Sequence, residues 1–580
     1  MAPGAVQQVR HWAGEAVQAI LRHEGDGFLL LLTAAAELEW PPGLWLTFAG
    51  ALAAFAVAGR RNPAFAFRSD HGGNGRGGFV FAVVAGPALL ATYNGVLVAA
   101  QSVPPAAVSV AVLWAGSLQA LLDFAGVPGA PGAVSLPGLA PHAAQVLTLA
   151  CMVRTIAELP LLPTCVFLII QKLVHYWCFR KSCWGRSFSP TEGLLWAQWA
   201  ATFATTTLQG YAHGFAHWSL LRLFSSVLVL FTWLFLGLVT TSRSALGQRL
   251  GLAGPLSPLV AGAVCLLLFL GWLATGLGGW ALRSPDLPPW RWLCRILVVP
   301  AHARLLLLQW PALILVGVGA IDFLACRSPT LGGRAGRCGV GAECGNTARV
   351  RVLYRKAFHA LAVALFAPPL AEGLAPFLSL AFLVASLLFV VLEVCRVCRV
   401  PYLARTMELF MSRYLDTRED TSRGDLVLTH LYLLLGCAIP VWLEPEDEEP
   451  ALLDAGARGA AVASCTEAML LRSSGILLVG IGDACAAACG VRFGRTKWPC
   501  THRTAEGSAA FLAGILVMAA LAHRAACGSS EIAAVGEWLP SFLGAVSLSA
   551  LFEAYSQSID NLTLPLYFAP TYRVLRALTM

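Results

Sequence analysis

The sequence predicts an all-α polytopic membrane protein with about 12–15 transmembrane helices. Of the 580 residues, 57% are hydrophobic and only 12% are charged, whereas about a quarter of a typical soluble chain is charged. The mean hydropathy is +0.68. Residues 40–59, 77–122, 193–221, 223–242, 258–282 and 373–392 contain no Asp, Glu, Lys or Arg. Each run reaches the roughly 20 helical residues that cross a hydrocarbon core, and together these features exclude a soluble protein. The run at 77–122 holds two spans, with Pro104 and Pro105 near its middle as a turn.

Other classes fall away on the same figures. The 33 Pro and 55 Gly are scattered through apolar sequence, so they read as helix kinks and close-packing points and not as disordered linkers. The net charge of +8 fits basic cytoplasmic loops and implies no nucleic-acid partner. Met1 to Gly27 carries Arg10, Glu15, Arg22, Glu24 and Asp26 before any long apolar run. That is not a cleavable-signal pattern, and targeting is expected to come from the first span. The 17 cysteines lie mostly in apolar sequence, where Cys is a small hydrophobe. Cys395 and Cys398 form a Cys-x-x-Cys, but zinc needs two further ligands and none stands at the usual spacing.

Taken in chain order, residues 1–325 alternate apolar runs with short basic loops and read as a multi-span scaffold. The loops are 60–76, with Arg60, Arg61, Arg68 and Arg76, and 172–186, with Lys172, Arg180, Lys181 and Arg186. Both read as membrane-flanking charge. From 326 to 580 the loops change character and their charges assign sides. The loop 327–356 carries Arg327, Arg334, Arg337, Arg349, Arg351, Arg355 and Lys356 against Glu343 alone, so it is expected on the cytoplasmic side. The stretch 357–371 then goes out, Glu372 marks a turn, and 373–392 returns. Residues 426–443 cross again to an acidic loop opening with Glu444, Glu446, Asp447, Glu448 and Glu449. The chain re-enters at about 470–482 and emerges at Asp483 into a basic stretch. Spans at 508–526 and 538–556 then bring Asp560 to the same face. Lys356, Asp425, Asp483 and Asp560 are thus expected at one membrane surface.

The stretch from Gly480 to Gly507 carries the most chemistry. Gly480, Gly482, Ala484, Ala487, Ala488, Gly490 and Gly494 surround or follow Asp483 and allow a backbone or phosphate chain to approach closely. Arg492, Arg495, Lys497 and Arg503 are donors of the kind that neutralise polyphosphate. An acid at the end of an apolar run is costly and is a functional candidate by default. Beside such cations it is a natural ligand for a divalent metal, since magnesium is held by one or two carboxylates plus substrate phosphates. The stretch is not a Walker A loop, because Gly-x-x-x-x-Gly-Lys-Ser/Thr is absent.

Residues 480–507 resemble the cytidine-nucleotide-binding segment of dolichol kinases, whose pattern is Gly-Asp-x-x-Ala-x-x-x-Gly, then Gly, a basic-Trp-Pro element, and Thr-x-Glu-Gly. Arg355-Lys356-Ala-Phe-His359 is similar to the Arg-Lys-x-x-His element of the wider polyprenol kinase group. Leu428 to Gly436 with Pro440-Val-Trp442, and Glu553 to Tyr567, are similar to the remaining blocks, so the resemblance runs in order over about residues 350–567. One departure stands out: where those enzymes read Gly-Thr-Lys-Lys-Thr, this chain has Cys500-Thr-His-Arg-Thr504, with His502 largely neutral at pH 7.

The resemblance implies transfer of the γ-phosphoryl group of CTP to dolichol, giving dolichyl phosphate and CDP for the glycan carriers of N-glycosylation. It implies a multi-pass protein of the endoplasmic reticulum membrane with its site facing the cytoplasm, and makes 326–580 the catalytic membrane domain. Asp483 and Asp560 would hold a divalent cation, Mg2+ by chemistry, while Arg495, Lys497 and Arg503 would hold the CTP phosphates. Gly482, Gly490, Gly494, Thr501, Thr504 and Gly507 would complete the nucleotide segment, and Glu506 would orient Arg503 or the nucleotide. Lys356 and His359 are three apart and share a helix face, placing both toward phosphate or the lipid hydroxyl. Asp425 is a further catalytic candidate beside His430. Two other classes stay open from sequence: a cytidylyltransferase forming a CDP-lipid, and a non-enzymatic transporter.

Overall fold

A computed structural model describes residues 161–579, apart from short stretches of which 328–341, 415–425 and 444–457 are the longest. Among the described residues all regular structure is helical, with a single antiparallel bridge between Lys497 and Thr504. In chain order the helices are α1 (Leu161–Phe179), α2 (Pro190–Ala212), α3 (Leu220–Arg243), α4 (Ser257–Thr275), α5 (Gly279–Arg283), α6 (Pro289–Leu297), α7 (Ala301–Arg327), α8 (Ala342–Ala371), α9 (Ala375–Val397), α10 (Leu403–Met411), α11 (Thr429–Leu443), α12 (Arg458–Gly475), α13 (Asp483–Phe493), α14 (Ala505–Cys527), α15 (Ile532–Tyr555) and α16 (Asp560–Thr579). A π-helical turn, Ile476–Gly482, joins α12 to α13.

Six helical stretches among the described residues are long and apolar enough to cross a membrane: Leu220–Arg243, Ser257–Arg283, Ala301–Arg327, Ala375–Val397, Glu467–Phe493 and Ala505–Ala522. Two shorter apolar helices, Cys165–Val174 and Thr429–Leu443, accompany them. The chain is an all-α, multi-pass membrane protein. The expected spans at 40–59 and 77–122 lie outside the described residues.

Two segments depart from the sequence expectation. The basic loop expected over 327–356 is helix from Ala342 onward, since Arg, Lys, Ala and Leu are good helix formers and no proline interrupts them. The helix ends after Pro368 and Pro369 at Gly373, which adopts φ +69, a conformation that favours glycine at a helix end. The span expected to stop at Asp483 continues for the 11 residues of α13. Ala484, Ala486, Ala487 and Ala488 sustain it, alanine being the strongest helix former. Asp483 therefore lies within a helical rod and not at its end.

One core cluster draws on both ends of the described chain: Phe167 and Leu168 of α1, Tyr432 of α11, Phe511 and Ile515 of α14, and Phe568 of α16 all belong to it. Phe552 and Tyr567 stack at 4.5 Å and fix α15 against α16. Where α11, α12 and α16 cross, backbone meets backbone. A Cβ on Gly436 would collide with the Asn561 carbonyl oxygen, and one on Gly475 with the Gly436 carbonyl oxygen. This contact sets the depth of Asn561, and so of its neighbour Asp560.

A buried polar knot ties α9 to the lead-in of α11. Arg396 donates to Glu393 through Nε (2.9 Å) and Nη2 (2.7 Å), and both residues are buried. Glu393 also accepts the Val427 N–H, while the Leu426 N–H donates to Ser187 Oγ at 2.8 Å. A fully paired ion pair of this kind avoids the large penalty of a lone buried charge.

Candidate active site

The π-helical turn presents Asp483. Its backbone N–H donates to the Leu478 carbonyl, five residues back, and such wide turns recur at functional sites. α8 packs along this turn closely enough that a Cβ on Gly480 would stand 2.6 Å from Val363 Cγ2. His359 Nδ1 donates to the Val479 carbonyl at 2.8 Å, which locks the ring against the turn and lies 3.6 Å from Asp483 Oδ2. Lys356, one helical turn earlier, forms an ion pair with the same oxygen. Asp483 is fully buried, and its other oxygen, Oδ1, has no hydrogen-bond partner.

Two further acids arrive from the far end of the sequence. Glu553, near the end of α15, is 2% exposed, and Asp560 begins α16. One ligand oxygen from each of Asp483, Glu553 and Asp560 lies within 4.8 Å of the others. Arg503 spans the last two, with Nη1 2.8 Å from Glu553 Oε1 and Nη2 2.8 Å from Asp560 Oδ2. Partial burial works against the Arg503 charge, but Glu553, Asp560 and Asp483 outweigh it and hold its pKa above the ordinary value.

Arg503 is carried by a short finger between α13 and α14. The Trp498 N–H donates to the Arg503 carbonyl (3.0 Å) and the Ala505 N–H to the Thr496 carbonyl (2.8 Å). Thr501 Oγ1 accepts the Arg503 N–H at 3.2 Å. Thr504 caps α14, its Oγ1 accepting the Gly507 N–H at 3.2 Å, as a side-chain oxygen does for the free N–H groups of a first turn. The Trp498 indole donates to Ser508 at 3.0 Å and anchors the finger's base. Arg495, Lys497 and His502 stand exposed along it.

Several expected nucleotide residues have packing work. A Cβ on Gly482 would lie 2.8 Å from Phe511 and Ile515, so this glycine lets α14 approach the turn. Gly490 and Gly507 face Thr504, where an added Cβ would stand 3.1 Å from its Oγ1. A Cβ on Gly494 would strike the Gly490 carbonyl oxygen. Glu506 does not orient Arg503: both its oxygens accept the Thr496 N–H, at 3.0 and 3.2 Å, and so clamp the finger to α14. Asp425 lies outside the described residues. His430 sits on α11 with its ring 6.3 Å from Phe358.

The structure thus brings Lys356, His359, Asp483, Arg503 and Asp560 together and adds Glu553, which in the sequence is only the first residue of the block that runs to Tyr567. Its signal was a lone acid inside the apolar run 538–556, a placement that marks function by default. Three carboxylates form a hard-oxygen donor set from which magnesium would take one or two ligands beside substrate phosphates, and the orphaned Asp483 Oδ1 is open to that use. Flanked by two cations and an exposed basic finger, the set suits phosphoryl-group chemistry.

Comparison with known proteins agrees. The human dolichol kinase is 36% identical over 213 residues, 37% of this chain and 36% of that protein. The matched segment is homologous to dolichol kinases. The Arabidopsis thaliana dolichol kinase EVAN is 33% identical over 220 residues, 38% of this chain and 34% of that protein. Dolichol kinase sec59 of Schizosaccharomyces pombe is 33% identical over 223 residues, 38% of this chain and 39% of that protein. The match therefore spans little more than a third of these dolichol kinases. No family model matches the chain, and no solved structure matches it.

Proposed function

We propose that the chain is a CTP-dependent dolichol kinase. The lipid's terminal hydroxyl oxygen bonds to the γ-phosphorus of CTP, the bond from that phosphorus to the β–γ bridging oxygen breaks, and CDP leaves. The hydroxyl proton is released, and dolichyl phosphate remains in the membrane. The observation that carries this is the junction of the Asp483–Glu553–Asp560 cluster with Lys356 and Arg503 at the root of an exposed basic finger. The kinship with dolichol kinases supports the acceptor, and the sequence resemblance supports CTP.

Asp483, Glu553 and Asp560 would hold a divalent cation, which when bound supplies neutralisation of phosphate charge. Lys356 adds positive charge beside Asp483. Arg495 and Lys497, exposed on the finger, meet the phosphates from the aqueous side, and Arg503 does so from its root. His359 keeps the turn that presents Asp483 in place. Positioning and charge of this kind carry most of phosphoryl-transfer catalysis. A lipid acceptor and an aqueous nucleotide meet only at a membrane surface; the charge pattern of the loops argues for the cytoplasmic face, and the resemblance to dolichol kinases argues for the endoplasmic reticulum. The division of labour proposed is a scaffold over residues 1–325 and a catalytic membrane domain over 326–580.

The test is purified protein in nanodiscs with dolichol, Mg2+ and either CTP or ATP. The expected products with CTP are dolichyl phosphate and CDP, lost in Asp483→Asn. Pyrophosphate in place of CDP would instead establish a cytidylyltransferase, and no lipid product with dolichol, phytol or diacylglycerol would overturn the kinase.

A further inference from the structure

Arg503 and a divalent cation have claims on the same oxygens. The three carboxylates lie too close to carry their charges without compensation, and two protein cations supply it. Lys356 serves Asp483, while Arg503 serves the other two: Nη2 donates to Asp560 Oδ2 at 2.8 Å, and Nη1 lies 2.8 Å from Glu553 Oε1 as a charge contact. Three formal negative charges thus meet two positive ones. The buried Asp483 Oδ1 is left without a partner, which marks the cluster as built for a ligand beyond these two side chains.

The two cations are not equivalent. Lys356 is 17% exposed and rises from the middle of α8, whereas the Arg503 side chain is 37% exposed and sits on the finger that carries Arg495 and Lys497. A guanidinium binds carboxylate or phosphate through the same parallel N–H pair. Rotation of Arg503 away from Glu553 and Asp560 would move it toward the face where nucleotide phosphates arrive.

We infer that Arg503 is a place-holding cation: it neutralises Glu553 and Asp560 until a metal–nucleotide complex arrives, then passes to the nucleotide phosphates as the metal takes the carboxylates. This rests on the kinase reading and adds to it an order of events. Metal alone binds weakly, because it must push Arg503 into water with no anion to receive it. Metal with nucleotide binds tightly, because the phosphate receives Arg503 in the same step. Arg503 is therefore a positioning residue that couples the two ligands.

Mn2+ is the probe, titrated against the full-length chain in nanodiscs without lipid acceptor, with free Mn2+ followed by electron paramagnetic resonance. Relative to wild type, Arg503→Gln is expected to bind Mn2+ alone about tenfold more tightly or better, because the competing charge-assisted pair is gone. CTP should raise the Mn2+ affinity of wild type but raise that of Arg503→Gln much less. Arg503→Lys, one point charge without the fork, should fall between them, and Glu553→Gln should bind Mn2+ more weakly than Arg503→Gln. Equal or weaker Mn2+ binding by both Arg503 variants, measured without nucleotide, overturns the inference. Tighter Mn2+ binding by both variants with no response to CTP or ATP would uphold the competition and instead sink the nucleotide reading. A damaged fold weakens metal binding, so the expected gain has the opposite sign to misfolding.

Discussion

Lys356 and Asp483, 127 positions apart in the chain, form an ion pair at the contact between α8 and the π-helical turn. The pair joins the Arg-Lys-x-x-His element to the Gly-Asp element, two blocks that the sequence presents as separate. Breaking one half strands the other. Lys356→Met leaves a carboxylate buried without its cation and is expected to cost about 3–5 kcal/mol. Adding Asp483→Asn should restore part of the thermal stability in detergent while activity stays absent. Identical melting of the single and double variants would remove the pair from the stability account.

The finger offers a sharper kinetic test. Glu506 accepts the Thr496 N–H with both oxygens at an exposed position, where water screens the carboxylate charge. Glu506→Gln should loosen Arg495 and Lys497 together and raise the KM for CTP about twofold to fivefold, with kcat falling less. Steady-state kinetics decide it. A fall in kcat at unchanged KM would instead tie Glu506 to the reacting groups.

At the crossing of α11, α12 and α16 there is no room for a methyl group. Gly436→Ala is expected to lose about 1–3 kcal/mol or more through the collision with Asn561, with activity falling further than stability because Asp560 moves with its neighbour. Ala438→Gly, two residues along α11 at a buried position, is the control. It should cost about 1 kcal/mol in helix propensity and leave the metal response intact.

The Glu393–Arg396 knot should show the signature of a closed buried pair. Arg396→Met alone leaves Glu393 buried without its cation and costs about 3–5 kcal/mol, whereas Glu393→Gln with Arg396→Met costs much less. A double-variant thermal cycle measures the coupling. Simple additivity would show that the two residues act independently.

Much of this was legible in the chain because apolar length and charge are local properties. The charge-free runs at 223–242, 258–282 and 373–392 became α3, α4 with α5, and α9. Lys356, Asp483 and Asp560, assigned to one surface by loop charge alone, meet in one cluster. What stayed hidden depends on neighbours distant in sequence. Glu553 sits in an apolar run and gains meaning only when Arg503 reaches it. Gly482 and Gly490 leave room for a backbone or a phosphate, and only the fold shows Phe511 and Ile515 against the first and Thr504 against the second. The continuation past Asp483 is hidden in the sequence because an acid and a following basic stretch read as an exit from the membrane, although the alanines between them carry the helix on.

The wide turn at Ile476–Gly482 has a mechanical meaning. Each residue added to or removed from a helix rotates everything beyond it by about 100°, so the turn acts as a phase adjuster between α12 and α13. Ahead of it, the rod keeps the azimuth that seats Gly475 against Gly436. Behind it, the azimuth is reset to aim Asp483 at Lys356. Deleting one residue within 476–482 would preserve composition, hydropathy and length enough to cross the membrane, yet leave the carboxylate facing a different neighbour. The site is thus tuned by a dial in the backbone as well as by the side chains it displays.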